Sequence, residues 1–316
     1  MRSWLRSAAI QCGVLLITLG ATELALQWLN LHYLRLEDWS SLGYQHDAEI
    51  GWSPIPSSTI IVSQPRTITA QHNSLGLRDI EPGYDQRPAV LVLGDSFVWG
   101  HNVEADERFT DLLRLELPQY RIVNAGVSGY GTDQEYLLMR RVWDAVKPTI
   151  VVLTICVEND RADNSSNVRS LSYKPYLRMT AEGNWEFAGQ PPPKQRRLQL
   201  KESGLARTFM LVRIAISAYV EIRYRRVTVP DPTERLIGMI REFVETGGAR
   251  LAVGMTRDEA QLQTFLRGQG IPYVSFEGGQ LYYDPSHHWT PEGHRLAAGR
   301  LLTLLTQVRS EASRAR

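Results

Sequence analysis

Residues 89–96 read AVLVLGDS: five apolar residues in a row, then glycine, aspartate and serine. An unbroken apolar run of this length, closed by turn residues, predicts a strand buried on both faces of a parallel sheet. The same signature recurs downstream. YRIVNAG (120–126), TIVVLTICV (149–157), RLAVGMT (250–256) and IPYVSF (271–276) give four more strands. Helical stretches separate them: ERFTDLLRLEL (107–117), residues 132–146, DEAQLQTFLRG (258–268) and PEGHRLAAGRLLTLLTQV (291–308). Strands alternating with helices imply parallel pairing with helices on both faces. The expected fold is α/β, a flavodoxin-like three-layer α/β/α sandwich on a five-stranded parallel sheet. Its functional loops belong at the carboxyl ends of the strands.

The flanking segments differ in character. Residues 8–29, AAIQCGVLLITLGATELALQWL, form an apolar run long enough to cross a hydrocarbon core of about 30 Å. Arg2 and Arg6 precede it, which by the positive-inside rule leaves the N-terminus cytoplasmic and the bulk of the chain extracytoplasmic. A cleaved signal peptide is the rival reading, but the run is long for one and Gly20-Ala21-Thr22 is a poor cleavage site. Gln11 before Cys12 argues against a lipoprotein. Glu23 and Gln27 are costly in lipid unless they sit near an interface or face a partner helix. The expected organisation is therefore a transmembrane anchor over 1–30, a connecting arm with short strands over 31–87, and a main domain over 88–310 with an insertion at 161–230. A polar tail covers 311–316. Within the insertion, 161–200 reads as loop. ESGLARTFMLVRIAISAYVEIRYRRV (202–227) reads as an apolar helix, packed on the sheet or serving as a lid or membrane-surface helix.

Composition excludes little else. The 316 residues are 43% hydrophobic and 22% charged, as in a globular protein, and a net charge of +1 gives no reason to expect nucleic acid. Cys12 and Cys156 lie in an anchor and a core strand, so two buried free thiols are expected rather than a disulfide.

The chemistry-bearing residues cluster at the ends of predicted strands. Ser96 follows the first strand at a strand-to-helix turn. Val123-Asn124-Ala125-Gly126-Val127-Ser128-Gly129 ends the second, where glycine lets a backbone N–H approach a substrate oxygen. Asn159, in Glu158-Asn159-Asp160, ends the third; its amide is a candidate oxyanion donor, with a helix cap or turn asparagine as the plain alternative. Asp284-Pro285-Ser286-His287-His288 precedes the last helix and offers a base with an orienting acid. Taken separately each has a bland explanation. Together they put a nucleophile, donors, a base and an acid at one sheet edge.

These residues resemble the SGNH hydrolase superfamily, with Ser96, Gly129, Asn159 and His288 at the four block positions and Asp284 beside the histidine. The resemblance implies a serine hydrolase acting on esters, with Ser96, Asp284 and His288 as triad and Ser96, Gly129 and Asn159 as oxyanion hole. His287 is the alternative base, since the family's Asp-x-x-His spacing falls on it, whereas His288 keeps the register into the last helix. Val157 stands where the family has glycine. Asn73-Ser74-Leu75-Gly76-Leu77-Arg78-Asp79 is similar to a segment of membrane-anchored bacterial members, some of which modify surface glycans. Expected partners are an ester-bearing small molecule or glycan and, through the N-terminal helix, a membrane. An O-acyltransferase acting on an extracytoplasmic polysaccharide and a non-catalytic envelope binding protein are the alternatives. No cofactor is implied: His287, His288, His294 and Asp284 lack the thiolates or His-Glu-x-x-His spacing of a metal site.

Overall fold

The computed structural model describes residues 2–29, 43–63, 65–83, 85–169, 172–278, 281–283 and 287–314. Helix α1 (Arg2–Leu29) opens the chain. Two antiparallel hairpins follow, β1 (Tyr44–Asp47) with β2 (Gly51–Pro54) and β3 (Thr59–Val62) with β4 (Ile68–Gln71). The alternating part begins with β5 (Ala89–Gly94), the single-turn α2 (Ser96–Trp99), α3 (Phe109–Glu116), β6 (Arg121–Gly126), α4 (Thr132–Val146) and β7 (Pro148–Ile155). After α5 (Asp160–Asn164) come the hairpins β8 (Val168–Arg169) with β9 (Ser172–Tyr173) and β10 (Tyr176–Met179) with β11 (Trp185–Ala188). Helices α6 (Arg196–Glu202), α7 (Gly204–Thr208) and α8 (Met210–Arg223) precede α9 (Thr233–Thr246), β12 (Arg250–Met255), α10 (Ala260–Gly268), β13 (Tyr273–Ser275) and α11 (Pro291–Arg314).

The five expected strands form one sheet in the order β13-β12-β7-β5-β6, parallel throughout. Every residue of β5 is buried, which is why its sequence shows no polar alternation. Val90, Val92, Ile150 and Val152 share a core with Phe109 and Leu113 of α3 and with Ala297, Leu301 and Leu305 of α11. On the other face α4 packs on β5 and β6, and α9 on β12. Each fully buried aliphatic side chain contributes roughly 1.5–3 kcal/mol relative to exposure. The chain goes from β5 out to β6, then back across to β7, so β5 sits where the direction of winding reverses. Crevices at carboxyl ends form at such a reversal.

Three expectations need correcting. Residues 161–200 are not simply loop but carry α5 and two hairpins. The apolar stretch 202–227 is not one continuous helix. Extended Phe209 breaks it, α7 starts on a Ser203 cap that accepts the Ala206 N–H, and α8 packs on α1, α6 and α7. Finally, α9 follows the insertion as an unforeseen helix covering the sheet.

Two compact units result. One comprises residues 1–39 and 194–225. In α1, Trp4–Leu29 is long and apolar enough to cross a membrane, with mean hydropathy 1.7 and 6% burial. Cys12 is exposed on it, against expectation, while Cys156 is buried; both are free. Glu23 faces a partner helix: its carboxylate accepts the Met210 and Leu211 N–H groups at 2.7 and 2.9 Å and the Gln27 amide at 2.7 Å. It thereby caps the N-terminus of α8. The other unit comprises 40–193 and 226–316 and contains the sheet.

Gly126 explains how β6 meets the turn after β5. A Cβ there would lie 2.3 Å from the Trp99 nitrogen and 2.5 Å from the Val98 carbonyl carbon, both backbone atoms that cannot swing aside. Gly126→Ala is expected to destabilise the protein by about 3 kcal/mol in chemical denaturation, whereas Gly83→Ala, with nothing within 4 Å, is near neutral.

Candidate active site

Ser96 is the first residue of α2. Asp95 caps the turn, its carboxylate accepting the Phe97 N–H at 3.0 Å. The turn is held from beneath by the Asn73–Asp79 segment. Asn73 folds that segment by accepting the Leu75 and Leu77 N–H groups at 3.0 Å each. Arg78, 2% exposed, then donates to the carbonyls of Trp99, Gly100 and Val103 at 3.0, 2.5 and 2.8 Å. Its guanidinium lies 4.5 Å over the Trp99 ring. Asp79 pairs with Arg114 and accepts the Asn124 N–H at 3.0 Å. Asn124 in turn donates to the Val98 carbonyl at 2.6 Å. Charged donors satisfying carbonyls at the end of a one-turn helix replace the support that such a short helix cannot give itself.

His288 Nε2 lies 2.8 Å from Ser96 Oγ. The loop carrying it is braced by a bridge between Tyr282 and Trp289, by the Tyr283 N–H donating to the His288 carbonyl at 2.8 Å, and by the Thr290 N–H donating to the Leu281 carbonyl at 2.8 Å. Phe97 and His101 pack against the imidazole, with ring centroids at 5.3 and 4.5 Å. Burial and the nearby Arg78 charge lower the pKa of His101, favouring a neutral ring beside His288. His287, by contrast, is exposed, with a left-handed φ of 54°. Asp284 lies outside the described residues. His294 plays a structural part: its Nδ1 accepts the Phe109 N–H at the start of α3 at 3.3 Å, and burial lowers its pKa to about 3.

The two remaining expected donors flank the turn. Asn159 precedes α5 but makes no side-chain capping bond; it lies in a turn that its N–H closes by donating to the Cys156 carbonyl at 3.1 Å. Its Nδ2 instead comes within 3.5 Å of Asp95 Oδ2, the carboxylate oxygen that is also 3.5 Å from Ser96 Oγ. Gly129 lies in the turn between β6 and α4 at φ 82°, a conformation that glycine alone adopts without strain. The β1–β2 hairpin clamps this turn. The Tyr130 hydroxyl donates to the Trp52 carbonyl at 2.5 Å, and Gln134 donates to the Ile50 carbonyl at 2.9 Å. Sequence reasoning missed these supports, because backbone carbonyls such as those of Trp52 and Ile50 leave no mark in the sequence.

Sequence reasoning also missed a set of buried carboxyl groups behind the turn. Asp95, Glu135 and Asp160 are 1%, 0% and 0% exposed. Burial raises all three pKa values, and mutual repulsion adds to it for Glu135 and Asp160. Among the described residues neither Glu135 oxygen has a hydrogen-bond partner, and burial with repulsion from Asp95 and Asp133 raises its pKa well above the ordinary value of 4.5. The unfolded chain ionises near that ordinary value. The Glu135 contribution to stability is therefore complete below it and is lost as pH rises toward the folded-state pKa. Glu135→Gln keeps the neutral shape, so its unfolding free energy should fall less steeply than that of the parent protein between about pH 5 and pH 8. Equal slopes in denaturation series would contradict this.

No family model and no curated protein sequence matches the chain. Solved structures similar to it include TesA (12% identity over 69% of this chain and 97% of that one, TM-score 0.41). Others are a G-D-S-L family lipolytic protein from Veillonella parvula (12%, 69% and 98%, 0.39) and the acetyl xylan esterase AlAXEase (12%, 68% and 98%, 0.40). These are resemblances at low identity, and what Ser96 and His288 can do follows from their own geometry.

Proposed function

We propose that this chain is an SGNH-type serine hydrolase that cleaves carboxylic esters, with Ser96 as nucleophile and His288 as general base. The observation that carries the reading is the 2.8 Å separation of His288 Nε2 and Ser96 Oγ, at a turn that opens on the carboxyl edge of the sheet. At that distance the imidazole takes the hydroxyl proton as Oγ attacks the ester carbonyl. The oxyanion is held by the backbone N–H groups of Ser96 and Gly129 and by the Asn159 amide. His288 then returns its proton to the leaving alcohol, and water resolves the acyl-enzyme by the reverse sequence. Asp284 is proposed as the acid that orients His288, on the strength of its place in the sequence.

The proposed substrate is an O-acetyl group on an extracytoplasmic glycan. The likeness of Asn73–Asp79 to a segment of membrane-anchored bacterial hydrolases supports this choice. So does α1, proposed here as a single-pass anchor over residues 1–30, with the catalytic domain on the extracytoplasmic side. Residues 88–310 form the proposed hydrolase domain, including the 161–230 insertion; 31–87 is the connecting segment and 311–316 a tail.

Release of p-nitrophenol from p-nitrophenyl acetate is expected from the parent protein and to vanish in Ser96→Ala; undiminished turnover in that variant would refute the nucleophile. Asn159→Ala should lower kcat by about 10²–10³ with the fold intact by circular dichroism.

A further inference from the structure

The unit formed by α1, α6, α7 and α8 has a feature that ester hydrolysis does not use. Residues 194–225 contain eight lysines and arginines against two glutamates, a net charge of +6 in a chain whose total is +1. The two glutamates are already engaged, Glu202 with Lys194 and Glu221 with Arg196. The same segment exposes large apolar side chains: Leu205 at 64%, Phe209 at 42%, Tyr219 at 57% and Ile222 at 74%. On α8 the exposed residues Ala215, Ala218, Tyr219 and Ile222 fall at helical spacing on one face, while Met210, Ser217 and Val220 are buried. Among the described residues of the unit, none covers this apolar side of the helix. Arg223 and Arg225 stand exposed at its end. Exposed apolar stripes bordered by cations are the pattern of helices that lie in a lipid–water interface.

Position decides the partner. Glu23 joins the α8 N-terminus to α1 six residues before Leu29, about 9 Å along the helix axis. Trp28, 84% exposed, lies at the same end, where indole side chains favour the headgroup layer. With 14 residues, α8 is about 21 Å long and too short to span a core of about 30 Å. A helix joined to α1 near the end of its apolar run, and too short to cross the core, can bury its exposed apolar face by lying along the surface of a bilayer that α1 crosses.

We propose that α7 and α8 form an interfacial platform that rests on an anionic phospholipid surface, with Phe209, Tyr219 and Ile222 at the acyl boundary and Arg207, Arg223 and Arg225 among the phosphates. This rests on the reading of α1 as a membrane anchor. The platform gives the chain a second, electrostatically tuned attachment beside its span.

The test uses the full chain, with Cys12→Ser, in vesicles of phosphatidylcholine containing phosphatidylglycerol. Nitroxide labels are placed singly at Ile17→Cys, Ile222→Cys and Glu202→Cys, and their collisions with oxygen and with a water-soluble nickel chelate are measured. The expected result is oxygen preference at 17 and 222 and chelate preference at 202. An aqueous label at 222 with a buried label at 17 overturns the platform and leaves the anchor standing; an aqueous label at 17 means the anchor itself has failed, and the platform with it. Dipolar broadening between 222 labels of neighbouring chains would assign the face to a second copy and overturn the proposal. Arg223→Glu with Arg225→Glu should shift the 222 label toward water. The same depth in phosphatidylcholine alone would overturn the anionic-headgroup assignment.

Discussion

A hydrogen bond between His288 and Ser96 joins side chains 192 residues apart, and little in the unit is free of the need to make it possible. A serine hydroxyl is a poor nucleophile at its own pKa, and an imidazole several ångströms out of place cannot change that. Each partner must be fixed by its own surroundings before the pair can form. Ser96 is fixed by burial of β5 on both faces and by Arg78, whose donors satisfy three carbonyls around the end of a one-turn helix. His288 is fixed by the bridge at Tyr282 and Trp289 and by rings packed on its flank.

The hairpins between α1 and β5 belong to this arrangement. They supply no proposed reacting group, yet they hold the turns that do. The Trp52 carbonyl accepts from Tyr130, next to Gly129, and His72 accepts the Trp99 indole N–H at 3.4 Å behind α2. The Ser58 hydroxyl donates to the Ile55 carbonyl at 2.7 Å, leaving its oxygen to accept from His72 Nδ1 at 3.0 Å. Burial and the Arg78 charge lower the His72 pKa to about 4, consistent with a neutral ring in this chain of contacts. The buried carboxyls of Glu135 and Asp160 add a second theme. Burial and repulsion from neighbouring carboxylates raise both pKa values, which favours neutral forms behind the turn.

The sheet was legible because each strand is an apolar run too short for a buried helix and bounded by turn residues, as AVLVLGDS shows. The convergence of Ser96, Asn159 and His288 was legible for a related reason, since loops after parallel strands share an edge. What escaped reading depends on partners that are distant in sequence. Arg78 binds backbone carbonyls, which carry no sequence signature. Glu135 sits in a helix whose charged neighbours suggest a solvated face, yet it is fully buried. The stretch 202–227 reads as one helix because its apolar spacing carries no proline. Phe209 breaks that stretch, and Glu23 ties its second half to α1.

The account depends on Ser96 being activated by His288. The most direct measurement is the rate at which a fluorophosphonate probe labels the protein, with the modified residue identified by mass spectrometry. The account predicts labelling at Ser96 in the parent protein, retained in His287→Ala and reduced by orders of magnitude in His288→Ala. Labelling at another residue, or an undiminished rate in His288→Ala, would contradict it.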